Sequence, residues 1–467
     1  MSRLGPELPE DIWQHIHSLM PLQDAARAAC ISRAFLSAWR RHPNLTLTEQ
    51  SLGCSDFTKK VDHILKNHSG VGVKKLDLEI FECYNADDIN HLDSWLQIAV
   101  TPWIEELTLK VCPDWFSDDE CSAMQMYKFP SSVLSCESRS SIQFLELESC
   151  EFRPTVQIGR LGSLTKLHLH YVRITGDELG CFLSSSLVLE RLELTDCCEI
   201  ICLKIPSILR HLTSLHVYGC GMMKEIENKA QNLHAIYFGG FPALYSPGQS
   251  LRLGELLQLQ KIDMWCNDAV YYACAELPSI APNLETLTIS SLREMVNAPT
   301  TPSKFLHLKY LCINLVGVKL SPPYDYFSLA SIVDSSLSLE TFILNLPQEL
   351  MEDDWNFGCS SDLRQMPQCR HHNLQNFEIT GFGSAKSLVE LTCYILESTS
   401  LERVTLDTTL LGAFRCSDRK YKKCFPVPSR GIIIEVQKAL LAIKTYIETK
   451  VPATVKLTVV EPCRRCH

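Results

Sequence analysis

The chain has 467 residues, 46% of them hydrophobic and 21% charged, with a formal net charge of -10. That length admits two or three ordinary domains, or a short module joined to a repeat array, and the composition excludes a disordered chain. No stretch offers about eighteen uninterrupted apolar residues, so no membrane-spanning helix is expected.

The charge is unevenly spread. Residues 1–50 hold five basic and five acidic side chains and residues 410–467 hold twelve basic and four acidic, which leaves -18 on 51–409. A body so acidic opposes a phosphate backbone, so nucleic acid is not an expected partner, nor is a membrane. Acidic residues and proline come before any apolar run at the N-terminus, so no secretory signal is expected. The 22 cysteines should then stay reduced, in a cytoplasmic and/or nuclear protein.

In chain order, residues 8–41 read as three short helices. Pro9, Glu10 and Asp11 suit a first turn, because proline needs no amide partner there and acids complement the helix N-terminus. Ser32 is placed to cap the third helix. Ile12, Ile16 and Leu19 or Met20 recur at helical spacing, as do Phe35 and Trp39. So small a bundle buries little surface, and its exposed apolar residues are expected at an interface.

From residue 73 to 406 one pattern recurs thirteen times: apolar-x-x-apolar-x-apolar, from Val73-Leu76-Leu78 to Leu401-Val404-Leu406. Successive starts lie 31, 38, 22, 25, 23, 21, 26, 25, 24, 31, 35 and 27 residues apart. The central spacings match a leucine-rich-repeat period of roughly 20 to 29 residues. Eight positions after a start the motif calls for Asn or Cys to satisfy backbone at the turn; Cys112, Cys150, Cys197, Cys220 and Asn267 fall there. The expected fold is an α/β solenoid, a leucine-rich-repeat horseshoe with a parallel β concave face behind a three-helix module. The domains expected are 1–50 helical module, 51–72 linker, 73–410 array and 411–467 C-terminal cap.

Strand alternation turns the paired apolar residues inward and the residues between them onto the concave face. In the central repeats these are Lys166, His168, His170, Arg191, His216, Tyr218, Tyr237, Lys261, Trp265 and Tyr310. Aromatic and basic side chains on adjacent strands are what interface hot spots favour, so His168, His170, Arg191, His216, Tyr218, Tyr237, Trp265 and Tyr310 are the candidate target-binding residues. Two insertions, Pro113 to Met124 and Leu350 to His371, carry acids beside aromatics.

Near the C-terminus, Ile432, Val436, Leu440, Ile443 and Ile447 share one helical face, and Val455 to Val460 alternates like a strand; both are expected in the cap. The ending Cys463-Arg464-Arg465-Cys466-His467 has C-x-x-C-H spacing, yet no second C-x-x-C pair accompanies it, so no metal is expected. The run Arg419-Lys420-Tyr421-Lys422-Lys423 is read as solvated surface. Phosphate-loop, nucleophile-elbow and metalloprotease signatures are missing, so neither catalysis nor a cofactor is expected.

Leu8-Pro9-x-Asp11-Ile12, then Met20-Pro21-Leu22-x-Asp24, then Ile31-Ser32-Arg33-Ala34-Phe35-Leu36-x-x-Trp39 resembles an F-box. The resemblance implies binding to the Skp adaptor of cullin-based ubiquitin ligases through Leu8, Pro9, Ile12, Ile16, Pro21, Leu22 and Trp39. The family sets its aromatic three residues after the Ser-Arg serine, where Phe35 stands, while Trp39 lies a turn later; which of the two reaches the adaptor stays open. From about residue 372, His372 to Phe382 followed by Leu388 to Leu396 resembles the FBD ending of plant F-box/leucine-rich-repeat proteins, and the whole chain looks like a grass member of that group. The function implied is a non-catalytic ligase subunit that holds the adaptor, and through it cullin, at one end and an unknown protein target on the repeats. Two rival functions are an interaction scaffold whose helices only cap the solenoid and a small-molecule sensor with a concave-face pocket.

Overall fold

The computed structural model describes residues 9–53, 55–80, 86–111, 126–134, 141–154, 160–240, 252–254, 256–291, 294, 298, 303–316, 324–346, 363–364, 372–409 and 430–462. They fall into two compact units, 1–233 with 248–254, and 234–247 with 255–467.

The first unit opens with helices α1 (Glu10–Ser18), α2 (Leu22–Ala29) and α3 (Arg33–Trp39). Pro9 and Pro21 stand at the residue before each of the first two helices, and the Ser32 hydroxyl caps the third by accepting from Phe35 N at 3.2 Å. Strands Asn44–Thr48, Lys75–Ile80, Glu106–Val111, Phe144–Glu148, Lys166–His170, Arg191–Thr195 and Ser214–Tyr218 then pair in that order, all parallel. Leu145, Leu167, Leu192 and Leu215 stand level across four strands, as do Leu147, Leu169, Leu194 and Val217, and all are buried. Each such leucine contributes roughly 1.5–3 kcal/mol of burial free energy. On the other side of the core, strands Cys202–Ile205, Glu225–Asn228 and Arg252–Leu253 form a small parallel sheet beside the helix Gly176–Leu183. Only glycine fits at Gly176, because a Cβ there would sit 2.0 Å from the Cys202 carbonyl oxygen.

The second unit carries eight parallel strands: Ala235–Gly239, Lys261–Cys266, Thr286–Ser291, Tyr310–Leu315, Thr341–Asn345, Asn376–Thr380, Arg403–Asp407 and Lys456–Val460. The helix Lys386–Ser398 packs behind them, almost wholly buried. A further helix, Arg430–Ala442, runs on through 443–447, with Val436, Ile443 and Ile447 in the core.

All thirteen expected repeats are strands of this α/β solenoid, and strands lie outside them at both ends. Asn44–Thr48, within the stretch read as the helical module, pairs with the first expected repeat strand. Residues 51–72, expected as a linker, instead carry the helix Phe57–Asn67, whose Phe57, Val61 and Leu65 are buried at its helical spacing. The Lys456–Val460 strand, expected in a separate cap, pairs in register with Arg403–Asp407.

The cysteine positions act as structural turn residues. Cys197 Sγ donates to Leu169 O at 3.5 Å and Cys220 Sγ to Leu194 O at 3.8 Å, each reaching back to a neighbouring repeat. Cys150 is fully buried and burial pushes its thiol far up, which leaves it inert as a nucleophile. Cys112 lies outside the described residues.

A second ladder, unread in the sequence, runs along the strand entries. The residue before the first apolar position donates to a carbonyl one repeat back: Ser141 to Pro102 O, Asn232 to Arg210 O, Asn283 to Leu257 O, Ser338 to Leu306 O and Asn373 to Leu337 O, at 2.6 to 2.9 Å. Its signal was present as a small polar residue just before the repeat start.

Candidate functional site

Two surfaces carry the candidate residues. On the helical module, α1 turns Ile12 and Ile16 outward, 40% and 38% exposed, with Leu19 at 74%; Ile31 between α2 and α3 is 79% exposed. Pro9 and Pro21 are exposed too. Leu22 and Trp39, by contrast, are each only 8% exposed. They are buried with Ala25 and Ala38 on α2 and α3, which pack on each other. Phe35 is half-buried against Trp13, with ring centroids 5.0 Å apart. Leu8 lies outside the described residues.

The second surface is the polar face of the strands, where every candidate target-binding residue is half-buried or exposed. In the first unit it is an ionic lattice. One row reads Asp77, Thr108, Glu146, His168, Glu193, His216 across adjacent strands. Glu193, missed in the sequence reading, is its hub: its carboxylate lies 2.7 Å from His168 Nε2, 2.7 Å from Arg191 Nη2 and 3.5 Å from His216 Nδ1. Burial works to raise that carboxyl, but the hydrogen bond from Arg191 and the charges of His168 and His216 outweigh it and hold it below its ordinary value. His170 Nδ1 lies 3.4 Å from Glu148, and that contact raises the imidazole against the effect of burial. Burial lowers His168, whose ring also meets Phe144 edge-on at 4.9 Å. Tyr218 is the most open of the candidates here, at 42%.

In the second unit the polar strand face carries amides, hydroxyls and aromatics beside Lys261, Asp263 and Glu378. Asn345 donates to Asn314 Oδ1 at 2.6 Å and Asn314 to Ser290 Oγ at 2.9 Å, a ladder across three strands. Lys261 Nζ sits 5.2 Å over the Tyr237 ring. Trp265 is half-buried beside Gly239, where a Cβ would come within 2.7 Å of the tryptophan's own. Tyr310 stands level with Thr286 and Thr341, and burial raises its phenol.

Other expectations fall outside the described residues: Pro113 to Met124, the run 419–423 and the C-x-x-C-H ending. Of the insertion Leu350 to His371, Leu363 and Arg364 are described; Arg364 pairs with Asp325 at 2.8 Å and with the buried Glu390 at 2.9 Å. Among the described residues no helix is long and apolar enough to cross a membrane.

Comparison with known families decides what these two surfaces belong to. Residues 64–464 match the family described as At1g61320/AtMIF1, LRR domain, and residues 6–47 match the F-box domain. The chain belongs to the plant F-box/leucine-rich-repeat proteins. Its FBD-like ending has counterparts in relatives from Arabidopsis thaliana. The provisionally named FBD-associated F-box protein At5g53635 is 27% identical over 460 residues, covering 92% of this chain and 99% of that one. The provisionally named F-box/FBD/LRR-repeat protein At5g56810 is 23% identical over 419 residues, covering 84% and 86%. FBD-associated F-box protein At1g66310 is 25% identical over 198 residues, 40% of each. As an F-box/leucine-rich-repeat protein, the chain has its F-box on the helices α1 to α3 and its repeat family match over both sets of strands.

Proposed function

We propose that this F-box/leucine-rich-repeat protein is a substrate-recruiting subunit of a Skp–cullin–F-box ubiquitin ligase. The observation that carries the reading is the exposure of the apolar side chains of Ile12, Ile16, Leu19 and Ile31 in a segment that matches an F-box. Soluble surfaces rarely present such residues together without a partner, and the F-box supplies the partner's identity, a Skp-type adaptor. Pro9 and Pro21 are exposed in the same segment, while Leu22 and Trp39 are buried. Burial of Leu8, Pro9, Ile12 and Leu22 against the repeats would favour the scaffold reading; Pro9 and Ile12 are exposed, Leu22 is buried and Leu8 lies outside the described residues.

Each unit has its own candidate target surface on its polar strand face: His168, His170, Arg191, His216 and Tyr218 in the first, and Tyr237, Trp265 and Tyr310 in the second. The chain contributes proximity: it holds a target near a ubiquitin-charged enzyme bound elsewhere in the ligase.

The test is capture of a plant Skp adaptor by the purified full-length chain beside a variant with Ile12→Asp and Ile16→Asp. Capture by the first, with at least about tenfold weaker binding by the second, supports the reading, since each change puts a charge into an interface that must be dry. Equal capture by both, or none by the unaltered chain, sinks it.

A further inference from the structure

The buried histidines of the described residues, His17, His42 and His68, all lie where the F-box helices meet the first repeat. His42 is 1% exposed and bridges two elements. Its Nε2–H can donate to Met20 O in the α1–α2 turn at 3.2 Å, while its Nδ1 accepts from Asn44 N on the first strand at 3.2 Å and lies 2.8 Å from Asn44 O. Asn44 Nδ2 returns a hydrogen bond to Ser18 O at the end of α1. His68, from the end of the helix Phe57–Asn67, closes the joint from the repeat side: its Nε2–H donates to His42 O at 3.0 Å, and its Nδ1 accepts from Gly70 N at 3.0 Å. Ser69 adds two hydrogen bonds to Arg40 O, from its amide at 2.8 Å and its hydroxyl at 2.7 Å.

We propose that His42 and His68 are positioning residues that fix the F-box helices against the first repeat, and that the joint holds only while His68 is neutral, so that it loosens in mild acid. The reason is donor arithmetic. A neutral imidazole has one N–H and one lone pair, and His68 uses both. A second proton would sit on Nδ1, facing the Gly70 N–H, and replace a hydrogen bond by two opposed donors in a dry site. His17 offers no relief, for its buried Nδ1 has no hydrogen-bond partner among the described residues and its ring lies against Phe35. The titratable group acting on both His17 and His68 is His42, and its charge opposes theirs. Arg40, Arg41 and Lys74 flank the joint with exposed side chains. Burial holds His68 and His17 below the ordinary value of 6.5, so the stability they confer is present above that pH and is lost as pH falls beneath it.

Any consequence for ligase activity rests on the function proposed above, but the joint can be tested without adaptor or target. Hydrogen exchange of the full chain at pH 7.5 and 5.5, corrected for intrinsic rates, would compare α1 and Asn44–Thr48 with the distant strand Thr286–Ser291. The expected result is about tenfold greater loss of protection at the joint in acid, because pH 5.5 lies one unit below the ordinary histidine value, where an unburied imidazole is protonated and a neutral His68 is not. His68→Gln should abolish that step, because its amide can donate to His42 O and accept from Gly70 N. Equal loss in both regions, no loss at all, or an unchanged step in His68→Gln overturns the proposal. Should the variant fail to fold, the ring-proton titration of His68 in the unaltered chain decides: a midpoint below 6.5 supports the proposal and one at or above it overturns it. A chain that captures no adaptor yet keeps the pH step would sink the ligase reading and leave this one standing.

Discussion

The polar faces of the two units rest on one strand chemistry and differ in what it presents. In the first, Glu146, Glu148, His168, His170, Arg191 and Glu193 make a lattice of ionisable groups, with Lys110 placed between Glu79 and Glu146. In the second, Ser290, Asn314 and Asn345 form a neutral ladder, with Tyr237, Trp265 and Tyr310 around it. Ion pairs at half-exposed positions weaken with salt and titrate; amide hydrogen bonds do neither. Under the function proposed above, a partner of the first unit's face would be steered by charge and one of the second unit's face selected by shape and hydrogen bonding.

The largest effect should show that this difference stops at the surface. Leu192→Ala and Leu287→Ala, one in each unit, should both cost about 3 kcal/mol in urea unfolding, because both side chains are fully buried in matching cores. A much smaller cost in one unit would place the difference in the packing instead.

Next comes a buried carboxyl of the second unit. Glu294 is 4% exposed, and burial pushes its carboxyl up to about 7 even though Val270 N donates to it at 2.6 Å. A raised carboxyl stabilises fully below its unfolded value near 4.5 and loses that contribution as pH rises through 7. Glu294→Gln should therefore be more stable than the native chain by on the order of 2 kcal/mol at pH 8.5, with the gap closing near pH 4.5. Thermal melts at the two pH values check this; a gap that does not change with pH would refute it.

Asn345→Ala should cost about 1 kcal/mol by removing the donor to Asn314, and the loss should be the same in 50 mM and 500 mM salt. The smallest effect belongs to Glu148→Gln, which removes a partner of His170. Solvent screening should keep its cost under about 0.5 kcal/mol. Because Glu148 raises His170, that cost should appear below pH 6.5 and vanish as pH rises through the raised value. A salt-dependent Asn345 variant, or a Glu148 variant with no pH dependence, would erase the contrast between the faces.

The sequence by itself determined the repeat. Period-2 alternation in thirteen segments assigned strands, inward leucines, polar-face residues and the turn role of Cys197 and Cys220, because a strand's two faces are set by local geometry alone. It also showed the F-box through short-range helical spacing. It did not separate exposed Ile12 and Ile16 from buried Leu22 and Trp39, since four positions at similar spacing differ only in which neighbour covers them. It read 51–72 as a linker, because Phe57, Val61 and Leu65 make a short apolar face with no repeat motif to announce it. What only the tertiary structure decided are the contacts made across strands and modules: Glu193 as the shared partner of Arg191, His168 and His216 from three strands, and His42 held by Met20 and His68, 22 and 26 residues away. Such pairings depend on register and on loop closure over tens of residues, and a local pattern carries no information about either.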